Sequence, residues 1–79
     1  MKSIRIRLQS IEEVKKFVNI MEQFNGYFDL ASGRYLVDAK SVMGIFSMDL
    51  TQVLELRILE TSVQEEEITA ALDKFIVRD

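Results

Sequence analysis

The chain has 79 residues, with ten lysines and arginines, thirteen aspartates and glutamates, and a net charge of −3. One domain, residues 1–79, is expected, with a small core, because a chain of this length buries only about 60% of the surface that its unfolded form exposes. Neither histidine nor cysteine is present, which excludes disulfides and leaves no ligands for a tightly bound transition metal, so no cofactor is expected.

The charge and hydropathy patterns argue against two classes of partner. The basic residues form no stripe with interleaved aromatics, so direct binding to nucleic acid is not expected, since neutralisation of phosphates supplies most of that affinity. No apolar run approaches the ~18 residues of a membrane span, and no signal-like segment follows Met1. The sequence therefore predicts a soluble cytoplasmic protein.

The first part of the chain predicts a strand and then a helix. Ile4, Ile6 and Leu8 alternate with polar residues, as in a half-buried strand. Ser10 and Glu13 form a capping box, in which each side chain bonds a free N–H at the start of a helix. Apolar residues then recur every three or four positions before an Asn-Gly pair, and these are Ile11, Val14, Phe17, Val18, Met21 and Phe24.

The middle of the chain predicts a hairpin and a short helix. Strands over residues 27–31 and 34–38 flank Ser32-Gly33, a pair that suits a tight turn. Ser41 then caps a helix that ends at residue 45 or 46. Gly44 weakens this helix by about 1 kcal/mol relative to alanine, so the helix is expected to be short.

The last part predicts a fourth strand, over residues 53–59, and a second long helix. A second capping box is expected at Ser62–Glu65, and the acids Glu65–Glu67 suit the positive end of the helix dipole. Lys74 and Arg78 suit its negative end. The buried stripe of this helix is predicted to be Ile68, Ala71, Leu72, Phe75 and Ile76.

The resulting order is β-α-β-β-α-β-α, with no repeat or linker. Four strands and two long helices, each helix apolar on one face only, imply two layers. The predicted fold class is therefore α+β, with a four-stranded antiparallel sheet and helices packed on one face.

The segment Asp38–Met48 is the most specific motif of the chain. It places a Lys-Ser pair before two methionines, a phenylalanine and a glycine. It resembles the regulatory-serine region of HPr, the small phosphocarrier of the bacterial sugar phosphotransferase system, and Phe17-Val18 stands at the family's distance before that serine. The resemblance covers essentially the whole chain, and it implies an open-faced β-sandwich with sheet order 1-4-2-3.

The phosphate-relay residues of HPr are replaced. In HPr a histidine, then an arginine two residues later and then a proline open the first helix, and a gap-free alignment from Ser41 puts Ser10, Glu12 and Glu13 at these places. A serine phosphoester passes its phosphoryl group on less readily than phosphohistidine, and the glutamates repel an incoming phosphate. The chain is thus expected to be no enzyme and unable to relay phosphate through histidine.

The resemblance implies that Ser41 is the family's regulatory serine. In HPr an ATP-dependent kinase phosphorylates that serine for carbon catabolite repression, and a phosphate on Ser41 would meet the free N–H groups of a helix start beside Lys40. The apolar residues that follow are too many for one short helix to bury, so they predict a docking surface. The resemblance implies two partners for this surface, an HPr kinase/phosphorylase-like enzyme and a catabolite-control transcription factor, although Glu12 replaces an arginine near it. The residues assigned to this surface are Lys40, Val42, Met43, Phe46, Ser47 and Met48. Ile45, and Val42 in part, are expected to fill the core.

Three other interpretations remain open. Ser41 can be an N-cap and nothing more, and the chain is then an HPr-fold interaction module with no phosphorylation role. Residual phosphocarrier activity through another residue ranks last, because no imidazole, thiol or paired-acid site lies near the first helix. A ferredoxin-like ligand-binding domain would need a glycine-rich loop where the chain has Gln9-Ser10, which is short and lacks glycine.

Overall fold

The fold comes from a computed structural model that describes residues 2–78. Four β-strands and three α-helices follow one another in this range, and a 3-10 turn comes after them. The elements are β1 (Lys2–Ile6), α1 (Ile11–Met21), β2 (Tyr27–Ser32), β3 (Tyr35–Asp38), α2 (Val42–Phe46), β4 (Leu54–Glu60), α3 (Glu65–Ala71) and the 3-10 turn (Asp73–Phe75). The predicted order and the α+β class are confirmed. No helix within this range has the length and apolar character needed to cross a membrane.

The strands form one antiparallel sheet in the order β1-β4-β2-β3, as the resemblance implied. Ile4 lies opposite Leu56 and Leu56 lies opposite Leu30, so the register brings the apolar residues of neighbouring strands to the same face. This face packs against the helices, whereas the other face is open. On the open face, Arg57 and Asp29 form an ion pair of 4.0 Å across β4 and β2.

The core lies between the sheet and the helices, and every buried residue within the described range is apolar. Phe17 of α1 is fully buried and meets Phe75 edge to face, with ring centroids 6.2 Å apart. Ile11 belongs to the apolar spacing that predicts α1, but its side chain is 63% exposed. The stripe therefore begins at Val14, one turn into the helix.

The chain after α3 returns to the sheet and pairs with β1. The Arg7 N–H donates to the Phe75 carbonyl over 2.8 Å, and the Val77 N–H donates to the Arg5 carbonyl over 2.9 Å. The predicted final helix is therefore too long. The helix in the structure ends at Ala71, and the residues after it form hydrogen bonds with the edge of β1 instead. Ala71, which was predicted to be buried, is exposed.

Two local predictions about turns and caps are wrong. Ser32 pairs with Tyr35 in the hairpin, so the two turn residues are Gly33 and Arg34. The N-cap of α3 is Gln64, which makes no side-chain capping bond, so the expected second capping box is absent. Thr61 holds this loop instead. Its hydroxyl donates to the Asn25 carbonyl, near the end of the α1–β2 connection, and accepts from the Val63 N–H.

A turn after α2 is held by Asp49, and it gives a pH-dependent prediction. The Asp49 carboxylate accepts hydrogen bonds from the Thr51 hydroxyl over 2.6 Å and from the Thr51 N–H over 3.0 Å. These bonds, the hydroxyl bond first, hold the pKa of Asp49 below its usual value of 3.8. Arg7 in turn donates to the Thr51 carbonyl over 3.1 Å, which ties the turn to the end of the first strand segment.

Asp49→Ala is expected to lower the melting temperature at pH 7 and to lose this effect in acid. A folded-state pKa below the unfolded value means that the carboxylate stabilises the fold fully above the unfolded pKa. That contribution fades as the pH falls below about 4 and through the folded-state pKa. Thermal melts of both proteins between pH 7 and pH 2 measure the gap, and a gap that stays constant with pH would contradict this account.

Candidate functional site at the start of helix α2

Ser41 is the N-cap of α2, as the sequence predicted. Its backbone is extended, and its hydroxyl oxygen accepts a hydrogen bond from the Gly44 N–H over 3.0 Å. The carbonyl of Ser41 accepts from the Ile45 N–H over 3.0 Å, which begins the helical ladder. The side chain is half-buried, so the hydroxyl lies at the surface and is fixed in orientation by the helix it caps.

Gly44 allows α2 to lie close to β3. A Cβ atom at this position would stand 3.0 Å from the Ser41 hydroxyl oxygen and 3.2 Å from the Val37 Cβ. Both separations are tighter than ordinary van der Waals contact, so a side chain here would press on the cap and on the strand. Gly44 was predicted only to weaken the helix, although a glycine inside a helical pattern is also a sign of close packing.

The apolar residues after Ser41 divide between the surface and the core. Met43 is 77% exposed, and Ile45 is fully buried as predicted. Val42 and Phe46 are half-buried and pack against the edge of the core. Met48 was assigned to the docking surface, but it is only 6% exposed. The exposed and half-buried residues Ser41, Val42, Met43, Phe46 and Ser47 are called the α2 patch below.

The burial of Met48 follows from how α2 ends. The Met48 N–H donates to the Ile45 carbonyl over 3.0 Å, which continues the turn by one residue beyond Ser47. A residue three places after Ile45 lies on the same side of a helical turn, so Met48 joins Ile45 in the core. Ser47 is exposed, and its hydroxyl donates to the Gly44 carbonyl over 2.6 Å, which satisfies one carbonyl at the helix end.

Lys40 stands next to Ser41 in the sequence but binds elsewhere. Its ammonium group donates to the Phe24 carbonyl over 2.7 Å and lies 5.4 Å from the centre of the Phe28 ring. Lys40 thus joins the segment after α1 to β2, with a cation–π contact that adds to the hydrogen bond. Lys40 was predicted to bind a partner, and these internal contacts were not predicted.

Ser10 is the N-cap of α1, as predicted. In the capping box, however, Glu13 bonds the N–H of Gln9 and not that of Ser10. The Ser10 hydroxyl accepts from the Glu13 N–H over 3.1 Å, and a Glu13 carboxylate oxygen accepts from the Gln9 N–H over 2.7 Å. Glu13 therefore reaches one residue further back than a standard capping box requires. The role of Ser10 as a helix cap is confirmed.

A shallow pocket beside the start of α1 brings together charges of both signs. Glu13, Arg7 and Lys74 all line it, although they come from different parts of the chain. Arg7 already donates to a backbone carbonyl, and the Lys74 ammonium lies 5.5 Å from the centre of the Phe75 ring. The sequence around the start of α1 shows only acidic residues, because the two cations come from the end of β1 and from the residues after α3.

Comparison with known proteins identifies the family. The family model described as "PTS HPr component phosphorylation site" matches residues 12–78. The chain belongs to the HPr family. The crystal structure of HPr-C-His from Thermoanaerobacter tengcongensis is similar to it, with 27% sequence identity, a TM-score of 0.78, and coverage of 95% of this chain and 91% of that chain. A search of curated protein sequences gives no match.

HPr proteins are phosphocarriers that act with proteins of the sugar phosphotransferase system, and membership of the family supports a role connected with that system. The match begins at Glu12, two residues after Ser10, and it includes Ser41 and the whole α2 patch. Within residues 2–78, no group of three or more acidic side chains is arranged to hold a metal ion.

Proposed function

We propose that this chain is an HPr-like regulatory protein of the phosphotransferase system and carbon catabolite control. It does not relay phosphate through histidine, and phosphorylation of Ser41 switches its binding to protein partners. One observation carries the proposal: an HPr-family chain without histidine keeps a surface serine at the start of α2, two residues before the exposed Met43.

The loss of phosphate relay is supported by the start of α1. Ser10 stands at the place of the family's phosphoacceptor, and its hydroxyl oxygen already accepts the capping bond from the Glu13 N–H. Glu12 and Glu13 occupy the first turn and repel an incoming phosphate. Arg7 and Lys74 lie nearby, but both already contact groups of this chain. The chain has neither imidazole nor thiol, so we assign it no enzymatic activity.

A phosphoryl group on Ser41 would change both the charge and the bonding of the α2 patch. It adds about −2 charges and three acceptor oxygens at pH 7. One of these oxygens can take over the bond from the Gly44 N–H that the hydroxyl oxygen now accepts. The new charge would stand beside Met43, an exposed apolar side chain that suits adaptable contacts. A partner can therefore distinguish the two forms at one small surface.

The partners of this switch are proteins. We assign the α2 patch to an HPr kinase/phosphorylase-like enzyme and to a catabolite-control transcription factor, and we expect the single domain 1–79 to meet them in the cytoplasm. Glu12 weakens the second assignment, because it puts a negative charge near the surface where the family has an arginine. No direct contact with nucleic acid is proposed, because the net charge of −3 disfavours binding to phosphates.

Incubation with an HPr kinase/phosphorylase and ATP is expected to add one phosphoryl group, on Ser41. Intact-mass spectrometry counts the group and fragmentation places it. Ser41→Ala should remain unmodified, whereas Ser62→Ala, a matched change of an exposed serine in the loop before α3 and outside the α2 patch, should be modified like the wild type. A wild type that takes up no phosphate, or an Ser41→Ala variant that does, would refute the switch.

The contacts of Lys40 favour a second candidate function. Its ammonium group is already bound to the Phe24 carbonyl and lies over the Phe28 ring, so it would have to leave these contacts to bind a phosphate on Ser41. On this alternative, Ser41 only caps α2, and the chain is an HPr-fold interaction module with no phosphorylation role. A physiological partner that binds the wild type and the Ser41→Asp variant equally well would support this second function.

A further inference from the structure

β3 is the outer strand of the sheet, and one of its edges has no neighbour among the described residues. Successive residues of β3 direct their backbone N–H and C=O groups alternately toward β2 and toward the free edge. Tyr35 and Val37 pair with β2, and the Ala39 N–H continues this ladder with a 2.9 Å bond to the Phe28 carbonyl. In an antiparallel ladder the intervening residues direct their N–H and C=O groups the opposite way. Leu36 therefore presents both of its backbone groups at the free edge.

The side chains of this edge are apolar in the middle and exposed. Leu36 is 53% exposed on the open face of the sheet, and Tyr35 is 62% exposed on the other face. The strand contains neither proline nor lysine, the residues with which natural proteins commonly protect an edge. An uncovered strand edge with apolar side chains on both faces is suited to pairing with another strand.

The charges at the two ends of this edge are opposite in sign, and the Asp38 carboxylate accepts one hydrogen bond, from the Lys40 N–H over 2.8 Å. Arg34 precedes the strand, Asp38 ends it, and neither has an ion-pair partner within residues 2–78. Asp38 also lies directly across from Asp29, which is already paired with Arg57 on its other side. Two like charges directly opposite each other on a sheet are unfavourable, so Asp38 stands to gain from a cation supplied from outside.

We propose that the free edge of β3 binds the same edge of a second copy of this chain, antiparallel and centred on Leu36. A two-fold axis midway between the two β3 strands places Leu36 opposite its own copy. Both backbone groups of each Leu36 then face the partner. The same axis places Tyr35 opposite the partner's Val37, and Arg34 opposite the partner's Asp38. The register that joins the free backbone groups therefore also joins the opposite charges, and this agreement selects a second copy as the occupant.

The axis runs perpendicular to the sheet, so the helices of both copies lie on the same side of a continuous sheet. Because β3 has only four residues, the contact is small and the dimer is expected to be weak and transient. Sedimentation equilibrium at protein concentrations up to about millimolar can measure the dissociation constant of such a weak dimer. The wild-type mass is expected to rise above the 9.2 kDa of the monomer.

Two charge reversals test the register directly. Arg34→Asp alone places like charges opposite each other in a self-pair, and so does Asp38→Arg alone, so each variant is expected to self-associate at least about tenfold more weakly than the wild type. An equimolar mixture of the two is expected to associate about as well as the wild type, because both ion pairs form again, one in its original orientation and one with its charges exchanged. Circular dichroism checks that each variant is folded.

A second pair of variants decides the proposal even if Asp38→Arg does not fold. Leu36→Lys puts two positive charges on the two-fold axis and should abolish association. Leu59→Lys is the matched control, since Leu59 is also an exposed leucine but lies on β4, away from the edge. A wild type that stays at 9.2 kDa at every concentration would overturn the proposal. So would a dimer that tolerates Leu36→Lys, or a charge-reversed mixture that associates no better than its components.

Discussion

Gly26→Ala is expected to lower the melting temperature by about 8–16 °C or more, since a domain of this size loses roughly 4–8 °C for each kcal/mol. Gly26 lies between α1 and β2 with a φ of 138°, which side chains rarely adopt. A Cβ here would collide with the carbonyl oxygen of Glu60 and stand 2.8 Å from the Thr61 Cβ. The strained backbone alone costs at least about 2 kcal/mol, and the collision adds to that.

Gly33→Ala is the matched control for this change. Gly33 also has a positive φ, of 58°, but a Cβ on it would meet nothing within 4 Å. Only the left-handed conformation is penalised there, so a loss of roughly 1–2 kcal/mol is expected. Calorimetric melts of both variants compare the two costs, and equal losses would show that the contact of Gly26 with Glu60 and Thr61 is unimportant.

Phe17→Ala is expected to reduce the free energy of unfolding by about 3–5 kcal/mol, the usual cost of emptying a buried aromatic site. Phe17 is fully buried, and its ring meets Phe75 from the segment that covers β1. A domain of 79 residues has roughly 4–12 kcal/mol of stability in all, at about 0.05–0.15 kcal/mol per residue. The variant is therefore expected to keep at most about 9 kcal/mol, and at the low end of this range it would be largely unfolded at 25 °C.

Urea titration followed by circular dichroism measures this loss as a shift of the midpoint. Ile11→Ala removes about half as many side-chain carbon atoms from the same helix, and Ile11 is 63% exposed. Its loss is expected to stay within about 0.5 kcal/mol. If the two variants were equally destabilised, the core would not depend on the Phe17–Phe75 contact in the way described here.

The elements set by local signals were predicted well from the sequence. Alternation defined β1 and β4, and the serine caps at Ser10 and Ser41 fixed the starts of α1 and α2 correctly. These features depend on residues within one turn or one strand, so their cause is visible in the chain itself.

The errors came where distant contacts override a local pattern. Helical spacing continues through Ile76, yet α3 ends early because Phe75 and Val77 bond the edge of β1. Ser62 is placed like a cap but is bypassed, since Thr61 instead bonds the carbonyl of Asn25 over 2.6 Å. In each case the partner lies far away in the sequence, so no local pattern could show it.

The candidate site shows the same division. The motif around Ser41 predicted the cap and the exposure of Met43 correctly. It did not predict that Met48 turns into the core or that Lys40 binds the end of the α1 segment, because both depend on how α2 packs against the rest of the molecule. The resemblance to HPr predicted that the site lies around Ser41, and the structure shows which side chains of this segment are exposed.

The covering of β1 by the C-terminal segment limits how large an assembly this chain can build. Hydrogen bonds at Arg5 and Arg7 close that side of the sheet, and only the first residues of β1 stay uncovered. A filament grown strand by strand needs two usable edges in every molecule, whereas the sheet of residues 2–78 offers one. Any association through β3 is therefore expected to stop at a closed pair, which protects a small, strand-rich protein from fibrous aggregation.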